Sequence, residues 1–243
     1  MGLKEMIASA NDVSSGALAP LSVAVISNIS LYPFFSPLLV ERFSKHQLIC
    51  PDITYIPYEA YNAPAHQSAV AAAGMIVIWL HFESLFSDTS NSGGLTVNEV
   101  AALSGKLMAD IEKCSNVKPL WFLFEDYDSR LPAVLGHTFP GKNLVNQINA
   151  ELCETVNGGA TYIDLKRLIA GIGIGNAYDA KGKYRWNAPY SQALIVSAVK
   201  EIHKMNPSER QKNNRGARRY AVYSRILPGS TKAGVPQACF LHI

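Results

Sequence analysis

Five short stretches constrain this chain more than anything else in it. Leu21 to Ile26, Met75 to Leu80, Leu120 to Phe124 and Ala160 to Ile163 are apolar runs of strand length, and Ile53 to Ile56 is a weaker fifth. Runs this short and continuous suit strands buried on both faces, as in a parallel sheet. Between them, apolar residues recur at helical spacing: Val97, Val100, Leu103, Leu107 and Ile111; Leu144, Ile148, Leu152 and Val156; then Leu194, Ile195, Ala198, Val199 and Ile202. Thr96 and Glu99 make a capping-box pattern before the first group, and Pro189 stands near the start of the last. Alternation of strand and helix with short connections predicts right-handed βαβ units, and hence an α/β fold: a three-layer α/β/α sandwich with a parallel five-stranded sheet. Ligand sites in such sheets lie at the carboxyl ends of the strands. The residues in that position are Ser27, Asn28 and Ser30; Tyr58; His81 and Glu83; Glu125, Asp126 and Asp128; and Asp164.

Composition and charge set the boundaries. With 48% hydrophobic and 17% charged side chains over 243 residues, the chain can bury a sizeable core, which excludes wholesale disorder. The longest apolar run falls far short of the roughly 20 residues that span a bilayer, and no sustained apolar stretch opens the N-terminus. A soluble, cytoplasmic protein without membrane contact is expected. Cys50, Cys114, Cys153 and Cys239 lie too far apart for a zinc knuckle or redox pair and read as reduced thiols. Residues 207–243 carry seven Lys or Arg against Glu209 alone, whereas residues 1–206 carry 15 basic and 18 acidic side chains. The expected division is therefore an α/β domain over 1–206 and a basic, poorly ordered tail over 207–243. Such a tail could bind a polyanion weakly, but its aromatics are limited to Tyr220, Tyr223 and Phe240, so nucleic acid is not favoured as a partner.

Several motifs come close to a known chemistry and fail. Gly136 to Asn143 nearly has phosphate-loop spacing, but Asn143 stands where a magnesium-binding hydroxyl is needed and Pro140 removes a backbone donor. Asp126-Tyr127-Asp128 after the fourth core strand resembles a phosphate-transferring aspartate pair, yet Arg130 occupies the usual Thr position and a solvated loop is the simpler reading. Gly171, Gly173 and Gly175 read as helix termination, not as a dinucleotide loop. The six histidines show no paired metal-ligand spacing, so neither a metal nor a cofactor is expected.

The ordered set Ser27-Asn28-Ile29-Ser30-Leu31-Tyr32-Pro33, Pro57 to Asn62, Trp79 to Phe86, Tyr162 to Leu165, and Tyr184 to Ser191 resembles the N-terminal domain of FkbH-type proteins, over about residues 20–205. That resemblance implies an SGNH-hydrolase-like, flavodoxin-like sandwich that normally precedes a haloacid-dehalogenase-type (HAD) domain. Family members are associated with preparing glyceryl units for carrier proteins in polyketide and related biosynthesis, the phosphate chemistry lying in that second domain. No strand leading into Asp-x-Asp-x-Thr follows Met205, so a module lacking that domain is expected, with an acyl carrier protein or a separate HAD-type domain as partner and a small acyl group as ligand.

Whether such a module is an esterase turns on its base. An SGNH hydrolase needs a Ser nucleophile, oxyanion donors and an Asp-x-x-His pair. No Asp in this sequence is followed three positions later by His, and Trp186-Asn187 stands where the base belongs. Two readings follow. In the first the module is catalytically degenerate and binds a carrier protein or acyl group, with Asn28, Tyr58, Glu83, Trp186 and Asn187 lining the cleft. In the alternative it is an ester or thioester hydrolase with Ser27 or Ser30 as nucleophile and His81 as substitute base. Set against these catalytic roles, either serine could simply cap a helix, and His81 could be a buried histidine satisfied by backbone.

Overall fold

Strands β1 (Ala19–Ser27), β2 (Ile49–Pro57), β3 (Met75–Trp79), β4 (Leu120–Phe122) and β5 (Thr161–Ile163) form one all-parallel sheet in the order β2-β1-β3-β4-β5. The computed structural model describes residues 19–47, 49–82, 97–125, 142–155 and 158–205. The chain divides into two compact units, Met1–His203 and Lys204–Ile243; of the second only Lys204 and Met205 are described, and the first carries everything that follows. The connections are made by α1 (Phe35–Gln47), α2 (Pro64–Ala72), α3 (Val97–Cys114), α4 (Lys142–Thr155), α5 (Leu165–Ile172), the single turn α6 (Ile174–Ala177), α7 (Ala180–Trp186) and α8 (Gln192–Met205). Among the described residues no helix is long and apolar enough to cross a membrane.

Alternation along the central strands sorts side chains to the two faces of the sheet. Ala24 and Ile26 of β1, Ile76 and Ile78 of β3 and Trp121 of β4 pack with Val70 of α2, Val100, Leu107 and Ile111 of α3, and Ile148 and Leu152 of α4. On the opposite face Trp79 of β3 meets Phe35 of α1 edge-on at 6.3 Å and stacks on Phe122 of β4 at 4.1 Å. Helices thus cover both faces of the sheet, which is why residues 23–26 of β1 and all of β3 read as apolar runs. β2 was the weakest of the five because it is an edge: of its nine residues only Pro51 and Ile56 are buried.

Local signals explain several helix ends. The Asp164 carboxylate accepts the Arg167 N–H and caps α5. Gly173, at φ +81°, ends the same helix in a backbone conformation that favours glycine. The cap of α8 is Ser191, whose Oγ accepts the Leu194 N–H, so Pro189 lies ahead of the helix rather than inside its first turn.

The order β2-β1-β3-β4-β5 reverses direction between β1 and β3. That is the topological switch point, where the carboxyl ends of neighbouring strands leave a crevice.

Candidate functional site

The crevice between β1 and β3 is built from backbone-bound side chains. Ser27, the last residue of β1, is buried, and its hydroxyl donates to the Trp79 carbonyl at 2.7 Å while accepting the Ile29 N–H at 3.2 Å. The Ile29 carbonyl lies 3.1 Å away, but the one hydroxyl proton goes to the shorter contact. Asn28 follows. Its carboxamide oxygen accepts the His81 N–H at 2.7 Å and its nitrogen donates to the His81 carbonyl at 2.9 Å. The two strand exits are thereby joined across the switch point by buried hydrogen bonds.

A third segment closes onto them. α7 ends at Asn187, which adopts the left-handed conformation (φ 50°, ψ 40°). From there the Asn187 carbonyl accepts the Ser30 N–H at 2.8 Å, and its side-chain nitrogen donates to the Asn28 carbonyl at 3.0 Å. α7 itself is pinned at both ends. Asp179 caps it through Gly182 N at 2.9 Å, and a Cβ at Gly182 would come within 2.7 Å of the Ala188 carbonyl oxygen, so only glycine fits.

Beneath Asn28 lies a buried polar cluster. His81 Nε2 stands 3.7 Å from Glu125 Oε1, at the exit of β4, and the same carboxylate oxygen accepts the Tyr190 hydroxyl at 2.9 Å. The Tyr190 ring meets His81 edge-on at 5.8 Å. Burial, reinforced by the positive charge of Lys183, pushes the His81 imidazole down to about 3. A carboxylate at 3.7 Å pulls the other way, but burial outweighs it and holds the imidazole toward its neutral form. Burial and Glu125 raise the Tyr190 phenol well above its ordinary value, which keeps it a donor.

The structure therefore brings Ser27, Asn28, Ser30, His81 and Asn187 together, with Ser30 half-buried. Trp186 adjoins Asn187 but is 71% exposed. Tyr58 stacks on Tyr61 at 6.0 Å beyond the end of β2, packed against the core on the α2 and α3 face, and burial raises its phenol. Glu83, Asp126 to Asp128, Gly136 to Gly141 and residues 207–243 lie outside the described residues. Glu125, already among the strand-exit residues of the sequence but given no role there, and Tyr190, which carried no signal apart from its place in the resemblance, complete the cluster. Among the described residues, no group of three or more His, Cys, Asp or Glu is placed to hold a metal ion.

Chemically, a serine attacks only when a base takes its proton. The Ser27 proton is committed to a backbone carbonyl. In the turn before α8, Asn187 serves as a backbone brace.

This sheet order, with helices on both faces and a crevice at the β1 and β3 exits, is a doubly wound three-layer α/β/α sandwich. The chain is similar to the N-terminal part of the protein BF1531 from Bacteroides fragilis, containing a phosphatase domain and complexed with Mg, at TM-score 0.59 and 12% identity over 82% of this chain and 55% of that one. It is also similar to the salicylyl-acyltransferase SsfX3 from a tetracycline biosynthetic pathway, at TM-score 0.50 and 11% identity over 78% of this chain and 55% of that one. At such identities the likeness is one of fold, and the chain matches about half the length of each protein. No family model matches the sequence, and no curated protein does.

Proposed function

We propose that this chain is an FkbH-type, SGNH-like module that has lost hydrolytic chemistry and binds a carrier protein or its acyl group in polyketide-like or glyceryl-unit biosynthesis. The observation that carries this reading is the double use of the crevice polar groups as structure: Ser27 donates to the Trp79 carbonyl, and Asn187 holds Asn28 and Ser30 where a base would be needed. An SGNH-like fold fits acyl handling in general, and an acyltransferase of a biosynthetic pathway shares it. Among the described residues, these structural uses of Ser27 and Asn187 support a site that holds an acyl group rather than cleaving it.

The test is to titrate the chain with an acetyl-loaded acyl carrier protein, following binding by calorimetry and free thiol with a colorimetric reagent. Saturable binding without thiol release is expected. Catalytic thiol release that disappears in Ser30→Ala or Ser27→Ala would overturn the reading in favour of a thioester hydrolase.

A further inference from the structure

Helix α7 presents side chains that its fold does not need. Tyr184 is 77% and Trp186 71% exposed, and Tyr32, two residues beyond the Ser30 that Asn187 holds, is 78% exposed. Lys181 and Arg185, also exposed, stand one helical turn apart and share a face with Tyr184. The helix contains no acidic residue.

Trp, Tyr and Arg are the residues most enriched where protein partners bind tightly, and exposed aromatics are costly to leave in water without use. The framework behind them is fixed by the Asp179 cap, the Gly182 contact and the Asn187 turn, so little ordering entropy remains to be lost on binding.

Resting on the carrier-binding reading above, we propose that Lys181, Tyr184, Arg185, Trp186 and Tyr32 form the docking face for the acidic surface of the carrier protein. Charge decides the kind of partner. The patch is locally basic, whereas residues 1–206 as a whole carry 15 basic and 18 acidic side chains. A small acidic protein surface matches a local cationic patch. A long polyphosphate backbone is opposed by the net charge of about −3 that residues 1–206 carry as a whole. The position agrees with this use. Trp186 precedes the Asn187 that closes the crevice, so a partner seated on α7 holds its acyl arm beside the exits of β1 and β3.

The experiment measures binding of one acidic holo acyl carrier protein to the full chain and to Trp186→Ala, Tyr184→Ala, Arg185→Glu and Leu103→Ala, at low and moderate salt, with circular dichroism confirming the fold of each. Loss of about tenfold or more in affinity for the three α7 variants is expected, with a shallower salt dependence for Arg185→Glu and no change for Leu103→Ala, an exposed apolar residue of α3. Equal binding by every variant would overturn the docking face while leaving the carrier-binding reading intact. No binding even by the unaltered chain would overturn both. A single-stranded oligonucleotide that binds more tightly than the carrier, with the same variant pattern, would assign the face to nucleic acid instead.

Discussion

Asn28 grips both polar groups of the His81 backbone: its carboxamide accepts the His81 N–H at 2.7 Å and donates to the His81 carbonyl at 2.9 Å, in a buried setting. The crevice that the parallel topology opens between β1 and β3 is thus bridged at its floor by a side chain. This pairing holds the ends of two core strands in register beyond the last ladder bond.

Asn28→Ala would leave both His81 groups buried without those partners, at roughly 2–6 kcal/mol, since each such group costs about 1–3 kcal/mol. Urea unfolding of the variant measures it. A loss below about 0.5 kcal/mol, the range of ordinary surface substitutions, would show that the bridge is dispensable.

Asn187 combines a left-handed backbone with two hydrogen bonds to the exit of β1. Asn187→Gly loses the side-chain bond to Asn28 without backbone strain, while Asn187→Ala loses it and also takes on the left-handed penalty of about 1–2 kcal/mol. Thermal melts are expected to rank the native chain first, the glycine variant second and the alanine variant last. Alanine outranking glycine would mean that the turn relaxes to another conformation.

His81 gives a pH dependence with a definite sign. Its folded-state value of about 3 lies below the 6.5 of an unfolded histidine, so on acidification the unfolded chain takes up the proton first. Its contribution is fully present above pH 6.5 and is lost as pH falls from there toward 3. The difference in unfolding free energy between the native chain and His81→Asn should therefore change with pH between 4.5 and 6.5, by up to about 1.4 kcal/mol per pH unit. Parallel stability curves would contradict a buried, neutral imidazole.

Much of the fold could be read from the sequence because strands buried on both faces write themselves as apolar runs. Ala24, Ile26, Ile76, Ile78 and Trp121 fill one side of the sheet while Trp79 and Phe122 fill the other, so no polar alternation interrupts β1, β3 or β4. The edge strand β2 was fainter; α5 was signalled only by its terminating glycines and α1 only as a helix following β1, while α2 and α7 were not identified. α1 contains Pro37, and α7 puts Lys181, Tyr184, Arg185 and Trp186 into water, so no apolar stripe marks it. Site positions followed from topology, since Ser27, Asn28, Ser30 and His81 all end strands that meet at the switch point. Their hydrogen-bond partners were not legible. Ser27 bonds across 52 positions to Trp79, and Asn187 across 159 to Asn28, pairings that exist only once the sheet has assembled.

The most direct test of the central claim is the rate at which the full chain hydrolyses p-nitrophenyl acetate and butyrate near neutral pH, beside Ser27→Ala and Ser30→Ala. With Ser27 bound to the Trp79 carbonyl and no base at Asn187, the three proteins should give the same rate, indistinguishable from buffer with a non-enzymatic protein at equal concentration. Saturable turnover by the native chain that is abolished in either serine variant would contradict the account.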